Sequence, residues 1–166
     1  MLDYSKNTKK ILDSLTQAEG RRLNSSMLEP EHIFLGIMKV HECGAMKVLS
    51  KLGINFDILK RTIDSNLQSR SGPIYIGDIP LSPAYNKVLK FAGDEAVALK
   101  DNRIRTEHLL LGLFKYRNIA GVQNLIDAGI DYPTVFNEIK DAPFARDYAG
   151  SAKKKKDPSK SPVADF

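Results

Sequence analysis

Apolar residues recur along most of this chain at steps of three and four, the spacing that gathers them on one face of an α-helix. Ala84, Val88, Phe91, Ala92, Ala96 and Leu99 form one such stripe, and Leu12, Leu15 and Leu23 belong to a counterpart nearer the amino terminus. Ser82 followed by Pro83 predicts where the later helix starts: a hydroxyl acceptor at the cap, then a residue whose missing N–H is not needed in a first turn. Ser5 holds the same place for the earlier helix. A second apolar run, Leu109 to Leu113, follows Thr106, and Glu107 in its first turn suits the positive end of the helix dipole. Shorter helices are expected at Ala45 to Leu52 and Val122 to Ala128, stopped by Gly53 and Gly129. The last helix of each half is expected from Phe56 to about Leu67 and from Tyr132 to about Lys140. β-character is confined to Ile74 to Ile76, too short to build a sheet.

The two halves of this pattern are copies. Sliding the chain by 76 residues lays PEHIFLGIMK on TEHLLLGLFK, and one ungapped register then pairs Leu12 with Val88, Glu19 with Glu95, Glu31 with Glu107, His32 with His108, Gly36 with Gly112 and Gly53 with Gly129. The expected architecture is therefore all-α: two tandem pseudo-symmetric four-helix repeats, eight helices in all, forming one compact domain. The first repeat covers 1–69, a linker rich in Gly, Ser and Pro covers 70–80, the second repeat covers 81–142, and 143–166 reads as a disordered, Lys-rich tail.

Composition adds little to that picture but excludes several classes. With 166 residues, 42% of them hydrophobic and 27% charged, the chain is long enough to bury a core without a metal or a disulfide scaffold. Its one cysteine, Cys43, rules out an intramolecular disulfide and reads as a packed thiol in a reducing compartment. No apolar run approaches the length of a membrane span and the start lacks a secretory signal, so a cytoplasmic protein with no membrane partner is expected. The formal charge of +5 is concentrated: Ser151 to Phe166 holds five lysines and two aspartates, leaving the rest near neutral. Lys153 to Lys156 reads as a solvated tail or a weak electrostatic tether, and no aromatic interleaving supports specific nucleic-acid binding.

Candidate chemistry is duplicated too. Glu31-His32 and Glu107-His108 stand at helix starts, where adjacent side chains point about 100° apart, so the two members of one pair cannot serve one ligand well. With His41 the one other histidine and no HExxH or CxxC spacing, no metal, other cofactor or catalytic centre is expected. Glu19 and Glu95 lie seven residues from Leu12 and Val88, on the core-facing side of their helices, where a charge needs partners. Hydrogen bonds from the beginning of the neighbouring helix, including His32 or His108 or its backbone amides, are the expected ones. Glu31 and Glu107 then remain for outward presentation. Each either stabilises its own helix dipole or, beside free amides, holds a zwitterionic ligand.

TEHLLLGL at Thr106 to Leu113, GDEAVAL at Gly93 to Leu99 and the degenerate PEHIFLGI at Pro30 to Ile37, duplicated at this spacing, resemble the Clp amino-terminal domain, or Clp repeat domain, over about residues 4 to 142. The resemblance implies a domain at the front of Clp-type AAA+ unfoldases that receives protein substrates or adaptors and has no catalytic activity of its own. In the ClpC version it further implies a phosphoarginine pocket. There the glutamate of each TEH motif, here Glu31 and Glu107, contacts the guanidinium, and the hydroxyl residue that begins each first helix, here Ser82 and Ser5, stands near the phosphate. Pro30 replaces the motif's threonine and Gly20 its usual alanine, which implies a first half that keeps the fold but has lost ligand affinity. A Clp unfoldase continues into ATPase modules with phosphate-cradling lysine loops, and this sequence contains none. A free-standing accessory factor is therefore expected, with Clp-type unfoldase or peptidase subunits, substrates or adaptors as partners. A sensor of phosphoarginine-bearing proteins without a Clp partner is the alternative.

Overall fold

The computed structural model describes residues 2–68, 72 and 76–141, so the expectations for the 143–166 tail, for the Lys153 to Lys156 tether and for Ile74 lie outside the described residues. The first helical rod begins at Ser5, whose Oγ accepts the Thr8 N–H at 3.3 Å. It runs without a break through α1 (Lys6–Lys10), a π-helical turn (Ile11–Leu15) and α2 (Thr16–Arg22). Then follow α3 (Pro30–Lys39), α4 (Gly44–Lys51) and α5 (Phe56–Gln68). The second repeat gives α6 (Pro83–Ala98), α7 (Thr106–Tyr116), α8 (Val122–Asp127) and α9 (Tyr132–Asp141). Ser82 caps α6 by accepting the Tyr85 N–H at 3.0 Å, with Pro83 in the first turn, and Gly53 and Gly129 close α4 and α8 at φ of 78° and 93°. Among the described residues four rods per repeat make an eight-rod architecture, helical but for two short strands.

The π-helical turn corrects the repeat register. Ser5 and Ser82 stand 77 residues apart, whereas Glu19 and Glu95 stand 76 apart, so the first rod holds one extra residue between them. A π turn widens the ladder to admit one residue without breaking the helix. At its first residue the structural partner of Val88 is Ile11 and not Leu12: Ile11 and Val88 are fully buried, and a Cβ on Gly36 would meet Ile11 as one on Gly112 would meet Val88.

Inside each repeat the helix that begins with the Glu-His pair is the central one. Residues Pro30 to Ile37 of α3 and Thr106 to Phe114 of α7 are all buried, as befits helices apolar on every side, and the remaining rods pack around them. Cys43 belongs to this core. The chain also forms a small sheet that the helical periodicity does not foretell. β1 (Asp3–Tyr4) runs parallel to β2 (Arg103–Ile104), and an isolated parallel bridge joins Leu28 to Leu81. Each pairing ties the segment before the first rod of one repeat to the segment before the central helix of the other, so the two halves clasp each other reciprocally. Tyr85 reinforces the clasp: its hydroxyl lies 3.2 Å from Thr16 Oγ1 on the facing rod.

Candidate functional site

The eight polar residues singled out in the sequence all prove to be buried. His32 and His108 anchor the starts of α3 and α7, as expected of one member of each pair. Nδ1 accepts a backbone N–H at 2.8 Å, from Glu29 in the first copy and from Arg105 in the second. A nitrogen that accepts an amide proton carries none itself, so in the neutral ring the proton sits on Nε2. In His32 that nitrogen lies 2.9 Å from Ser25 Oγ. With Nε2 already protonated, His32 cannot take the Ser25 proton, and the pair has the geometry of a structural bond rather than of a nucleophile and its base. The corresponding nitrogen of His108 lies 3.8 Å from Asp101 Oδ2, and Asp101 also holds Arg105 at 3.0 Å.

Glu31 and Glu107 do not face outward, contrary to expectation. They are 5% and 1% exposed, because each central helix begins against the other repeat. Glu31 Oε2 accepts the Ala120 N–H at 3.1 Å, just ahead of α8, where a carboxylate suits the unpaired amides of a helix start. In the second copy the Thr106 hydroxyl accepts the Ala45 N–H at 3.1 Å and donates toward Glu107 at 3.4 Å. Pro30 has no hydroxyl to play that part. Ser5 and Ser82, each 3% exposed, are occupied as the caps of α1 and α6.

Glu19 and Glu95 are buried in the core-facing position as expected, but their partners differ from those expected. Seven residues separate α2 from α3, and α3 crosses the first rod at Gly36, so the end of the central helix and not its beginning comes near the carboxylate. Glu19 pairs with Lys39 at 3.8 Å and Glu95 with Lys115 at 3.4 Å, matched residues of the two copies. The remaining oxygens are met differently in each half. Arg22 bonds Glu19 at 2.7 Å and Asp64 of α5 at 2.8 Å, while the Tyr132 hydroxyl donates to Glu95. Burial drives the Asp64 carboxyl upward, but hydrogen bonds from Arg22 and Lys60 outweigh it and hold it below the usual range. Burial first, and then the bond to Glu95, raises the Tyr132 hydroxyl.

A small hollow of about 160 Å³ lies at His32, beside Ser25, Met27 and Glu29, and two wider concave surfaces lie where sequence reasoning placed no site. An open groove of about 510 Å³ runs between the outer stripe of α6, including Leu89, Lys90, Gly93 and Val97, and the β1–β2 ribbon with Leu2, Tyr4 and Ile104. Val97 is 65% exposed in it. A second hollow of about 670 Å³ adjoins it through the shared Leu2 and Tyr4 and is edged by Asp3, Lys6, Lys9 and Arg103. Burial first, and then the nearby Asp13 charge, raises the Tyr4 hydroxyl.

Repeat symmetry puts a counterpart of this groove on the first rod, and there it is filled. Gln17 stands where the second copy has Gly93, and its amide clamps the linker in both directions, donating to Ile79 O at 3.0 Å and accepting Ile79 N–H at 2.8 Å. Arg21, in the place of Val97, donates to Gly77 O at 3.1 Å. A Cβ at position 20 would stand 2.6 Å from Leu28 Cδ2 and 2.7 Å from Ile79 Cδ1. Glycine in place of alanine at position 20 thus accommodates both Leu28 and the linker. The signal that sets the halves apart, Gln17 and Arg21 against Gly93 and Val97, is present in the aligned sequences.

Among the described residues no cluster of three or more His, Cys, Asp and Glu could hold a metal ion, and no helix is long and apolar enough to cross a membrane. A family model described as the Clp repeat (R) N-terminal domain matches residues 3–128. The probable ATP-dependent Clp protease ATP-binding subunit of Chlamydia pneumoniae is 33% identical over 139 residues, 84% of this chain and 16% of that protein, so the chain spans a small part of such a relative. The N-domain of ClpV from Vibrio cholerae, 17% identical, superposes with a TM-score of 0.73 over 90% of this chain and 89% of that one. A ClpV N-domain solved in complex with a VipB peptide, 14% identical, gives 0.66 over 86% and 87%. These likenesses to solved structures establish the fold.

Proposed function

Because the chain belongs to the Clp repeat (R) N-terminal domain family, we propose that it is a non-catalytic peptide-binding module that receives client or adaptor segments for a Clp unfoldase and peptidase system. The observation that carries this reading is the open apolar groove on α6 beside its filled counterpart on the first rod. A folded domain gains nothing in stability from leaving Val97 and its neighbours to water, and an apolar groove rimmed by polar groups is the form that a peptide site takes. The ClpV N-domain solved with a VipB peptide shares this fold and supports the same use here.

The test is capture of the cell's own Clp unfoldase and peptidase subunits, and of an unfolded model client, on the immobilised chain. Val97→Asp serves as control, because position 97 is exposed and tolerates the charge. Capture by the wild type and its loss in Val97→Asp is the expected result; equal capture by both removes the groove. Calorimetry with free phosphoarginine forms the second arm. Heat abolished by Glu31→Ala and by Glu107→Ala would favour the sensor reading instead, and would require the Ala120 N–H to release Glu31 and the Thr106 hydroxyl to release Glu107.

A further inference from the structure

We infer that the groove selects segments in which apolar residues are flanked by acidic ones, and that Lys6, Lys9 and Arg103 are the residues that select them; this rests on the peptide-binding reading of the same groove. Its apolar length, from Val97 past Leu89 and Ile104 to Leu2 and Tyr4, opens at the Leu2–Tyr4 end onto the hollow edged by these three cations. All three are exposed, and none forms an ion pair among the described residues. Asp3 is the one carboxylate lining that hollow, and though it stands opposite Arg103 in the ribbon it is not within ion-pairing distance. At the other end Lys90 and Asp94 pair with each other at 3.6 Å and present no net charge.

The placement of Lys6 is itself unfavourable to the free chain. Lys6 opens α1, whose first turn holds no acid, so a cation sits at the positive end of the helix dipole, and Asp3 is the one carboxylate that shares its hollow. An acidic group from a bound segment would relieve that repulsion and pair with Lys9 and Arg103. Charges on a groove rim act mainly on partner choice and on association rate, and they respond to salt. The occupant that fits is therefore an amphipathic protein segment with its acids on one side of an apolar core.

Fluorescence anisotropy on the intact chain tests this with three labelled peptides that share one apolar core and carry three flanking Glu, Ser or Lys residues. The Glu-flanked peptide is expected to bind on the order of tenfold more tightly than the Ser-flanked one at low salt, with the gap closing at high salt. The Lys-flanked peptide should bind weakest. The chain carrying Lys6→Glu, Lys9→Glu and Arg103→Glu should reverse the order, and Lys9→Ala alone should narrow it. Equal affinity for all three peptides, abolished by Val97→Asp, overturns the selectivity while the groove stands. Failure of every peptide to bind overturns both.

Discussion

Gly112→Ala probes the contact on which the second repeat is built. A Cβ at position 112 would stand 2.8 Å from the Val88 carbonyl oxygen and 3.2 Å from the Ala92 nitrogen, both backbone atoms of α6. Neither can turn aside as a side chain can, so α6 and α7 must separate. Alanine in place of glycine inside a helix otherwise gains about 1 kcal/mol, whereas overpacking a tight contact costs about 1–3 kcal/mol or more. Where backbone is struck the upper part of that range applies, and the net loss is expected to be about 1–2 kcal/mol. For a domain of this size that lowers Tm by roughly 2–8 °C. At Gly36 the nearest atom is Ile11 Cγ2 at 2.9 Å, a methyl on the branched Cβ of a fully buried side chain, so Gly36→Ala should also destabilise, by about 1 kcal/mol, but less than Gly112→Ala, where backbone is struck. Thermal unfolding followed by circular dichroism, with urea unfolding as a second measure, compares the two variants. A Gly112→Ala protein more stable than the wild type, or one less damaged than Gly36→Ala, refutes the backbone contact.

Four further substitutions separate structural from binding roles. Burial, partly offset by the bond to Thr16, raises the Tyr85 hydroxyl to about 12 from an ordinary 10.0; the folded state thus holds its proton longer than the unfolded one, and stability present below pH 10 falls as pH rises towards 12. Tyr85→Phe should flatten that alkaline limb by roughly 2–3 kcal/mol in pH-dependent urea melts, and an unchanged slope counts against the burial. Glu31→Ala leaves the Ala120 N–H without its acceptor and should cost about 1–3 kcal/mol on unfolding while peptide affinity at the groove changes less than about twofold. Arg22→Leu removes the cation shared by Glu19 and Asp64 and should destabilise by about 2–3 kcal/mol, more than Lys39→Leu, whose ammonium is 3.8 Å from Glu19.

Local signals in this chain are read correctly because their causes are local. The Ser82-Pro83 start, the glycine stops and the apolar runs of α3 and α7 depend on a few neighbouring residues, and the 76-residue register exposes the duplication directly. The one-residue slip at Ile11 escaped because an inserted residue in a π turn leaves apolar residues on both candidate positions, Ile11 and Leu12. Partners across the repeats were illegible for a different reason. Glu31 meets Ala120 and Thr106 meets Ala45 only because the central helices start against each other's repeats, and no spacing within one repeat encodes that. The groove is not encoded in what the two copies share. Its cause is a difference between them: a glycine at 93 where the first copy has a glutamine that ties the linker down.

The most direct measurement is an amide chemical-shift titration of the chain with the Glu-flanked peptide, run in parallel on Gly93→Gln. A Cβ at 93 meets Ile104 Cδ1 at an ordinary 3.7 Å, so the variant should fold normally while its amide side chain stands in the groove between α6 and the ribbon. The expected shifts in the wild type gather at Leu2, Tyr4, Leu89, Gly93, Val97 and Ile104, and they vanish in Gly93→Gln. Shifts that gather instead at Glu31, Glu107 and Ala120, or that persist unchanged in the variant, contradict a peptide site on α6.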